Sequence, residues 1–306
     1  MVTRRHFIGG AVGAGIGLAT QGCQQMAAPT RRTIVDAQIH LWKDSSPDYP
    51  WNPGAKPQLP EPFTIERALP LMDEAGVDRI VIVPPGLNDV NTYALEAAKR
   101  HPNRFAVMGR IPLQDPKSAA LLPKWKSAPS MLGVRVTFLG KDAAWLDDGT
   151  ANWFWPAAEK AGLPVMFLAF GMVNKFDAIA ARHPGLPLII DHMGVNLAIA
   201  KEGRTAEVIG HAVALAKYPN VSIKMSNLVN ASLEPYPFRD LTPHLQRVFD
   251  AFGPRRCHWG TDLTAGYTRA TWKQRVAHFT EELKFMSEAD KDWVMGRSIL
   301  DRLKWA

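Results

Sequence analysis

From residue 32 onward, short runs rich in Val, Ile, Leu and Phe alternate with longer stretches whose apolar residues recur every three or four positions. The short runs are Ile34–Leu41, Arg79–Val83, Phe105–Ile111, Gly133–Phe138, Pro164–Ala169, Leu188–His192, Val221–Met225 and Cys257–Asp262. Several are almost continuously apolar, as parallel strands covered on both faces are; a strand with one wet face would alternate strictly. The longer stretches predict helices over Thr64–Ala75, Thr92–Arg100, Asn152–Ala161, Asn174–Arg182, Ala206–Lys217 and Pro243–Phe252. A weaker helical pattern, Ser118–Trp125, follows the third strand, and Thr271–Phe285 follows the eighth. Ala75-Gly76-Val77-Asp78 and Ala161-Gly162-Leu163-Pro164 each end a helix on glycine and lead into a strand, as αβ joints do.

Eight strand–helix units in roughly 275 residues predict an α/β fold, a (β/α)8 TIM barrel forming a single domain over residues 33–306. The competing architecture, an open doubly wound sheet, is weakened in its nucleotide-binding form because no glycine-rich phosphate loop follows any strand. The Pro-rich stretch Pro47–Pro62 is the longest loop on the expected active face, and its Trp51 is placed to cover a ligand.

In such a barrel, polar residues at the carboxyl ends of strands are the candidates for chemistry. Strand one ends Asp36-Ala37-Gln38-Ile39-His40-Leu41-Trp42, strand six Asp191-His192-Met193-Gly194, and strand eight His258-Trp259-Gly260-Thr261-Asp262. Gln38 and His40 are two apart, so both project to one side of the strand, toward the barrel mouth. A single strand-end histidine is more often a structural hydrogen-bonder than a catalyst; His40, His192 and Asp262 in register with the barrel count are harder to explain that way. The structural alternative for Asp262 is a helix cap ahead of Thr264. Arg135 on strand four is the best anchor for a substrate carboxylate, which its planar fork can grip at two points. Arg110 is a second candidate for substrate binding, with a salt bridge closing the barrel as its alternative. Lys224 points inward if the register holds, as a substrate contact or as a buried ion-pair partner. Trp42, Trp51 and Trp153 are candidates for the pocket wall, with core packing as the default for each.

These pieces resemble the amidohydrolase superfamily and, within it, the amidohydrolase-related group that contains lactonases and decarboxylases. The likeness runs from about Ile34 to Trp305. It rests on Val-Asp-Ala-Gln-Ile-His-Leu-Trp at strand one, Gly133-Val134-Arg135, Ile223-Lys224-Met225-Ser226 and Trp259-Gly260-Thr261-Asp262. Metal-bearing members carry His-x-His on strand one, and many add a histidine on strand five or a neighbour. Here the first of the pair is Gln38, and strand five, Pro164–Phe170, offers no His, Lys or Cys. A metal would be left with His40, His192 and Asp262, a bare zinc set without reinforcement. In this respect the chain resembles the metal-independent lactonases that open 2-pyrone-4,6-dicarboxylate and sugar-acid lactones, and no cofactor is expected. The resemblance implies Asp262 as the base that activates water, with His40 and His192 donating to the developing oxyanion and Gln38 supplementing them. A lactone is an activated ester, so one base and preorganised donors can suffice. The reading is thus a hydrolase acting on a small-molecule lactone, including an anionic one. Two alternatives stand beside it: a metal-dependent amidohydrolase or nonoxidative decarboxylase using a divalent ion such as zinc, and a non-catalytic periplasmic binding barrel.

The composition is that of a globular chain, with 306 residues, 46% hydrophobic and 21% charged. The formal charge of +7 comes from 36 bases and 29 acids. No basic run extends beyond Arg31–Arg32 and no aromatic–basic interleaving occurs, which argues against a nucleic-acid partner. Thr3-Arg4-Arg5-His6-Phe7-Ile8-Gly9 resembles a twin-arginine export signal, and the Gly/Ala-rich stretch Gly10–Ala19 behind it is too short to span a bilayer. Residues 1–28 are therefore expected to be removed, and the mature chain to be periplasmic or exported with no transmembrane span. Thr20-Gln21-Gly22-Cys23 offers a lipoprotein site through Cys23, although the usual Leu three residues earlier is missing. Cys257 heads a buried strand, so no internal disulfide is implied.

Overall fold

The computed structural model describes residues 31–88 and 91–306. The expected export signal, with Arg4, Arg5 and Cys23, lies outside the described residues. Eight parallel strands follow one another in sequence order: β1 Val35–Ile39, β2 Arg79–Ile82, β3 Phe105–Gly109, β4 Met131–Thr137, β5 Val165–Leu168, β6 Leu188–Ile190, β7 Val221–Met225 and β8 Cys257–Trp259. The helices are α1 Ile65–Ala75, α2 Thr92–Arg100, α3 Phe154–Lys160, α4 Asp177–Arg182, α5 Leu197–Lys201, α6 Thr205–Ala214, α7 Thr242–Phe252, α8 Trp272–Ala277, α9 Glu288–Asp292 and α10 Ser298–Leu303. This is the (β/α)8 arrangement the pattern predicts. Among the described residues no helix is long and apolar enough to cross a membrane.

The strands pack outward against the helices through one apolar cluster and inward through a second. The inner cluster contains Val35, Ala37, Val81, Val83, Ala106, Met108, Leu132, Met166 and Ile189, and Ile299 and Leu303 of α10 close it from below. The sequence pattern did not single out residues 288–303 as helical. Three short pieces, α9, a wider turn over Trp293–Arg297 and α10, carry that stretch. Gly296 is needed where this turn passes the strand: a Cβ there would lie 2.2 Å from the Thr33 carbonyl oxygen.

Two departures from expectation bear on the site. The register shifts between Asp36 and Ile39, so Ala37 faces the inner cluster and Gln38 faces inward as well. The Asp36 carboxylate ties β1 to the segment after β8. It accepts from Thr261 N at 2.8 Å, Thr261 Oγ1 at 2.5 Å, Gln38 N at 3.0 Å and Trp272 Nε1 at 3.0 Å. Burial pushes the Asp36 carboxyl up to about 6 despite these donors. Strands six and eight also stop earlier than expected, at Ile190 and Trp259, and the chain beyond them passes through left-handed backbone at His192 (φ 54°) and Asp262 (φ 49°). After β3 the expected helix is a tighter 3-10 coil over Pro116–Ser127, where Pro123 lacks the N–H an α-helix would use.

Candidate active site

His40, His192 and Asp262 come together at the carboxyl ends of β1, β6 and β8. His40 Nε2 lies 3.2 Å from Asp262 Oδ1, and His192 Nε2 lies 3.5 Å from Asp262 Oδ2. Each imidazole is pinned from behind. His40 Nδ1 meets the Val83 carbonyl at 2.6 Å, and His192 Nδ1 meets Ser226 Oγ at 2.8 Å. A carbonyl only accepts, so His40 carries a proton on Nδ1. In its singly protonated form its Nε2 is then a lone pair, and the oxyanion-donor role expected for it is closed. Ser226 can donate to His192 Nδ1, which leaves His192 Nε2–H as a donor. Burial pushes His192 down to about 4, against the upward pull of Asp262 and Asp191, so it is neutral at neutral pH. Burial tends to raise the Asp262 carboxyl. The neighbouring His40 imidazole, with His192 and Arg135, outweighs it and holds Asp262 well below the usual carboxylate range.

Strain gathers at this rim. His192, Met193, Asn227 and Asp262 all sit at positive φ without being glycine. Such backbone costs about 1–3 kcal/mol per residue and persists where surrounding contacts enforce it. Here His192 and Asp262 both line the cavity above the barrel.

Beneath the rim lies an ionic layer that corrects two expectations. Lys224 is fully buried, with Nζ 2.6 Å from Asp191 Oδ1 and 3.3 Å from the Met166 sulfur, and it also donates to Gln38 Oε1. Arg135 Nε holds the other Asp191 oxygen at 3.0 Å. Although burial opposes it, the paired charges of Lys224 and Arg135 keep Asp191 below its ordinary value. Lys224 does not line the cavity; it is the ion-pair partner and not a substrate contact. Gln38 does not line it either. Because the ammonium only donates, it takes the Gln38 oxygen and turns Nε2 toward His40 Nε2, 3.4 Å away. Gln38 therefore supports His40 from below and is no oxyanion donor.

Above the rim opens a cavity of about 410 Å³, lined by His40, Trp42, Arg110, Arg135, His192 and Asp262 among others. Arg135 and Arg110 stand side by side. Arg135 Nη1 donates to Thr137 Oγ1 at 2.6 Å, and Arg110 Nη1 approaches the same hydroxyl at 3.3 Å while its Nε donates to the Pro84 carbonyl at 2.6 Å. Trp42 walls the cavity and packs on Phe63. Trp51 and Trp153 do not reach it, and Trp153 Nε1 instead donates to the Leu113 carbonyl at 2.9 Å. The long loop contributes Lys56, Pro57 and Gln58 in place of Trp51, tied down by the Thr264 hydroxyl donating to Gln58 Oε1. Thr137, Ser226 and Asp191 were not assigned roles from the sequence. Thr137 and Ser226 lie two positions beyond Arg135 and Lys224, a spacing that marks a shared strand face and was available as a signal.

A family model described as amidohydrolase matches residues 35–297. The chain is 30% identical over 240 residues to an L-fucono-1,5-lactonase of Burkholderia ambifaria, covering 74% of this chain and 79% of that protein. A crystal structure of a Burkholderia multivorans amidohydrolase with bound zinc is similar in fold, with a TM-score of 0.75 at 21% identity over 89% of this chain and 99% of that one. A probable 2-pyrone-4,6-dicarboxylic acid hydrolase from Acinetobacter baumannii, with citric acid bound, has a TM-score of 0.73 at 17% identity over 89% and 100%.

Proposed function

The chain belongs to the amidohydrolase family, and on that premise we propose that it is a hydrolase that opens a small lactone with Asp262 as general base. The observation that carries the proposal is a single carboxylate set between two pinned imidazoles in the wall of a cavity that Arg110 and Arg135 also line. The curated relative named L-fucono-1,5-lactonase supports the same chemistry.

Asp262 takes a proton from a water as its oxygen adds to the lactone carbonyl. With Nδ1–H committed to Val83, His40 turns its Nε2 lone pair to Asp262 Oδ1 at 3.2 Å. A proton taken from water can be shared between Asp262 Oδ1 and His40 Nε2, so the pair is arranged for the state after proton transfer. His192 Nε2–H and the Arg135 guanidinium supply fixed donors to the developing oxyanion. Collapse of the adduct breaks the ring C–O bond. The stored proton passes to the leaving ring oxygen, and the product is the open hydroxy acid.

Metal-free chemistry is part of the proposal, and the donor set supports it. Among the described residues, no group of three or more His, Cys, Asp or Glu side chains is arranged to hold a metal ion. Gln38, in the place of the first histidine of the metal-binding pair, is committed to Lys224. The test is acid release at constant pH from a panel of sugar-acid and pyrone lactones, before and after exhaustive chelation. We expect turnover of at least one lactone and no loss after metal stripping. Activity that falls on chelation and returns with zinc would replace this mechanism with the metal-dependent one, in which His40, His192 and Asp262 become ligands.

A further inference from the structure

The turn that follows β8 and carries Asp262 is held through two side chains of α8, Trp272 and Arg275. Arg275 is only 5% exposed and is not among the residues that line the main cavity. Its guanidinium donates to four carbonyls: Nη1 to Thr261 at 3.0 Å, Nη2 to Leu263 at 3.2 Å and to Gly266 at 2.9 Å, and Nε to Ala270 at 3.2 Å. Trp272 Nε1 holds the Asp36 carboxylate at 3.0 Å, and Asp36 in turn accepts from the Thr261 amide and hydroxyl. We propose that Arg275 is a positioning residue for Asp262, locking the left-handed turn that presents its carboxylate to the cavity, with the Asp36–Trp272 pair as its counterpart on the Thr261 amide. The inference rests on the lactonase reading above, in which Asp262 is the base, and extends it to side chains that touch no substrate.

The peptide between Thr261 and Asp262 shows how the lock works. Its carbonyl accepts from Arg275 Nη1, and its N–H, that of Asp262, donates to the Gln38 carbonyl at 2.9 Å. The positive φ of 49° at Asp262 is relieved by rotating this peptide plane, and both bonds oppose that rotation. The next turn is fixed as well, with Ala265 N donating to the Asp262 carbonyl at 2.9 Å and Arg275 holding Leu263 and Gly266. The choice of residue points the same way. Among the described residues, each hydrogen bond that Arg275 makes goes to a backbone carbonyl. Burial pushes its guanidinium down to about 10, against the upward pull of the Asp262 and Asp36 charges. Burying a cation without a carboxylate in contact is costly, and an apolar side chain would fill the space without that cost. What only arginine supplies is a planar fork of donors able to reach several carbonyls of one turn at once.

The test is Arg275→Lys, which keeps the charge and loses the fork. With a lactone that the panel above shows to be opened, kcat per folded molecule should fall roughly 10- to 100-fold, the cost of misplacing a reacting group by about 1 Å, with KM nearly unchanged. Arg275→Met should lose more. Should that variant not fold, Trp272→Phe, which removes one donor from Asp36, should lower kcat by a smaller factor, again with KM unchanged. A lower melting temperature with wild-type kcat in Arg275→Lys is what a purely structural arginine gives, and would overturn the inference; so would a rise in KM alone. Amide hydrogen exchange reads the turn without turnover. In Arg275→Lys the Asp262 amide should exchange roughly tenfold faster or more, while the Val107 amide in β3 keeps its wild-type rate. That pattern supports the lock even if the wild type opens no lactone, an outcome that would reject only the lactonase reading. An unchanged Asp262 amide, or equal acceleration at Val107, would overturn the lock whatever the turnover.

Discussion

At the amino end of the barrel, Ile299 and Leu303 close over Val35, Val81, Ala106 and Leu132, beside a few polar contacts such as the buried His258–Ser298 pair. At the carboxyl end, four non-glycine residues sit at positive φ, two imidazoles converge on one carboxylate, and a buried Lys–Asp–Arg layer lies just beneath. The floor is held by apolar area removed from water, which tolerates many sequences of similar volume. The mouth is held by pairings that each require a particular partner, and its strain is sustained by the rest of the fold. Stability and activity should therefore separate by position along the barrel axis.

The largest expected effect is at the mouth. Asp262→Asn should cut kcat by roughly 10²–10⁴-fold, the contribution of a positioned general base, with substrate binding nearly unchanged. Asn tolerates left-handed backbone well, so φ 49° at this position adds no new strain and the fold should persist. Steady-state kinetics beside a thermal melt checks both halves; wild-type kcat in this variant would reject the site assignment.

At the floor the effect should invert. Leu303→Ala removes a side chain only 2% exposed and should lower unfolding stability by about 2–5 kcal/mol. kcat per folded molecule should be unchanged. A denaturant titration measures the first, and a fall in kcat at temperatures where the variant stays folded would show that the two ends are coupled.

The smallest effect is on pH dependence, and both ends contribute. Burial pushes His192 at the mouth and His278 behind β8 down to about 4, and His258 at the floor well below its ordinary value. The unfolded chain binds these protons near 6.5, so stability is complete above that pH and falls as pH drops toward 4. Asp36, raised to about 6, binds its proton first in the folded state and opposes the fall below pH 6. Each histidine contributes at most about 1.4 kcal/mol per pH unit in this window, leaving a net loss of roughly 1–3 kcal/mol between pH 6 and 5. Urea midpoints at the two pH values measure it, and a midpoint that rises on acidification would show that Asp36 and other groups dominate.

The repeating pattern of apolar runs and helical stretches was enough to specify eight parallel strands, their order and the barrel, because burial on both strand faces leaves a signature in each short segment. It also placed His40, His192 and Asp262 at strand ends, where the barrel concentrates chemistry, and Arg135 and Arg110 on the cavity wall. What it left open was which inward-facing polar groups meet a ligand and which meet each other. Lys224 and Gln38 read as site residues by alternation alone, yet Asp191, which precedes His192, claims Lys224, and Lys224 in turn claims Gln38. Those pairings join residues far apart in the chain, and only closure of the barrel brings a buried cation within reach of its counter-charge. The same holds for the turn of His40, set by the Val83 carbonyl on the neighbouring strand, and for Trp51, which the loop carries away from the cavity. Local sequence records which side of a strand a residue faces; the partner it finds there is decided by three-dimensional proximity, because an unpaired buried charge or donor is too costly to persist.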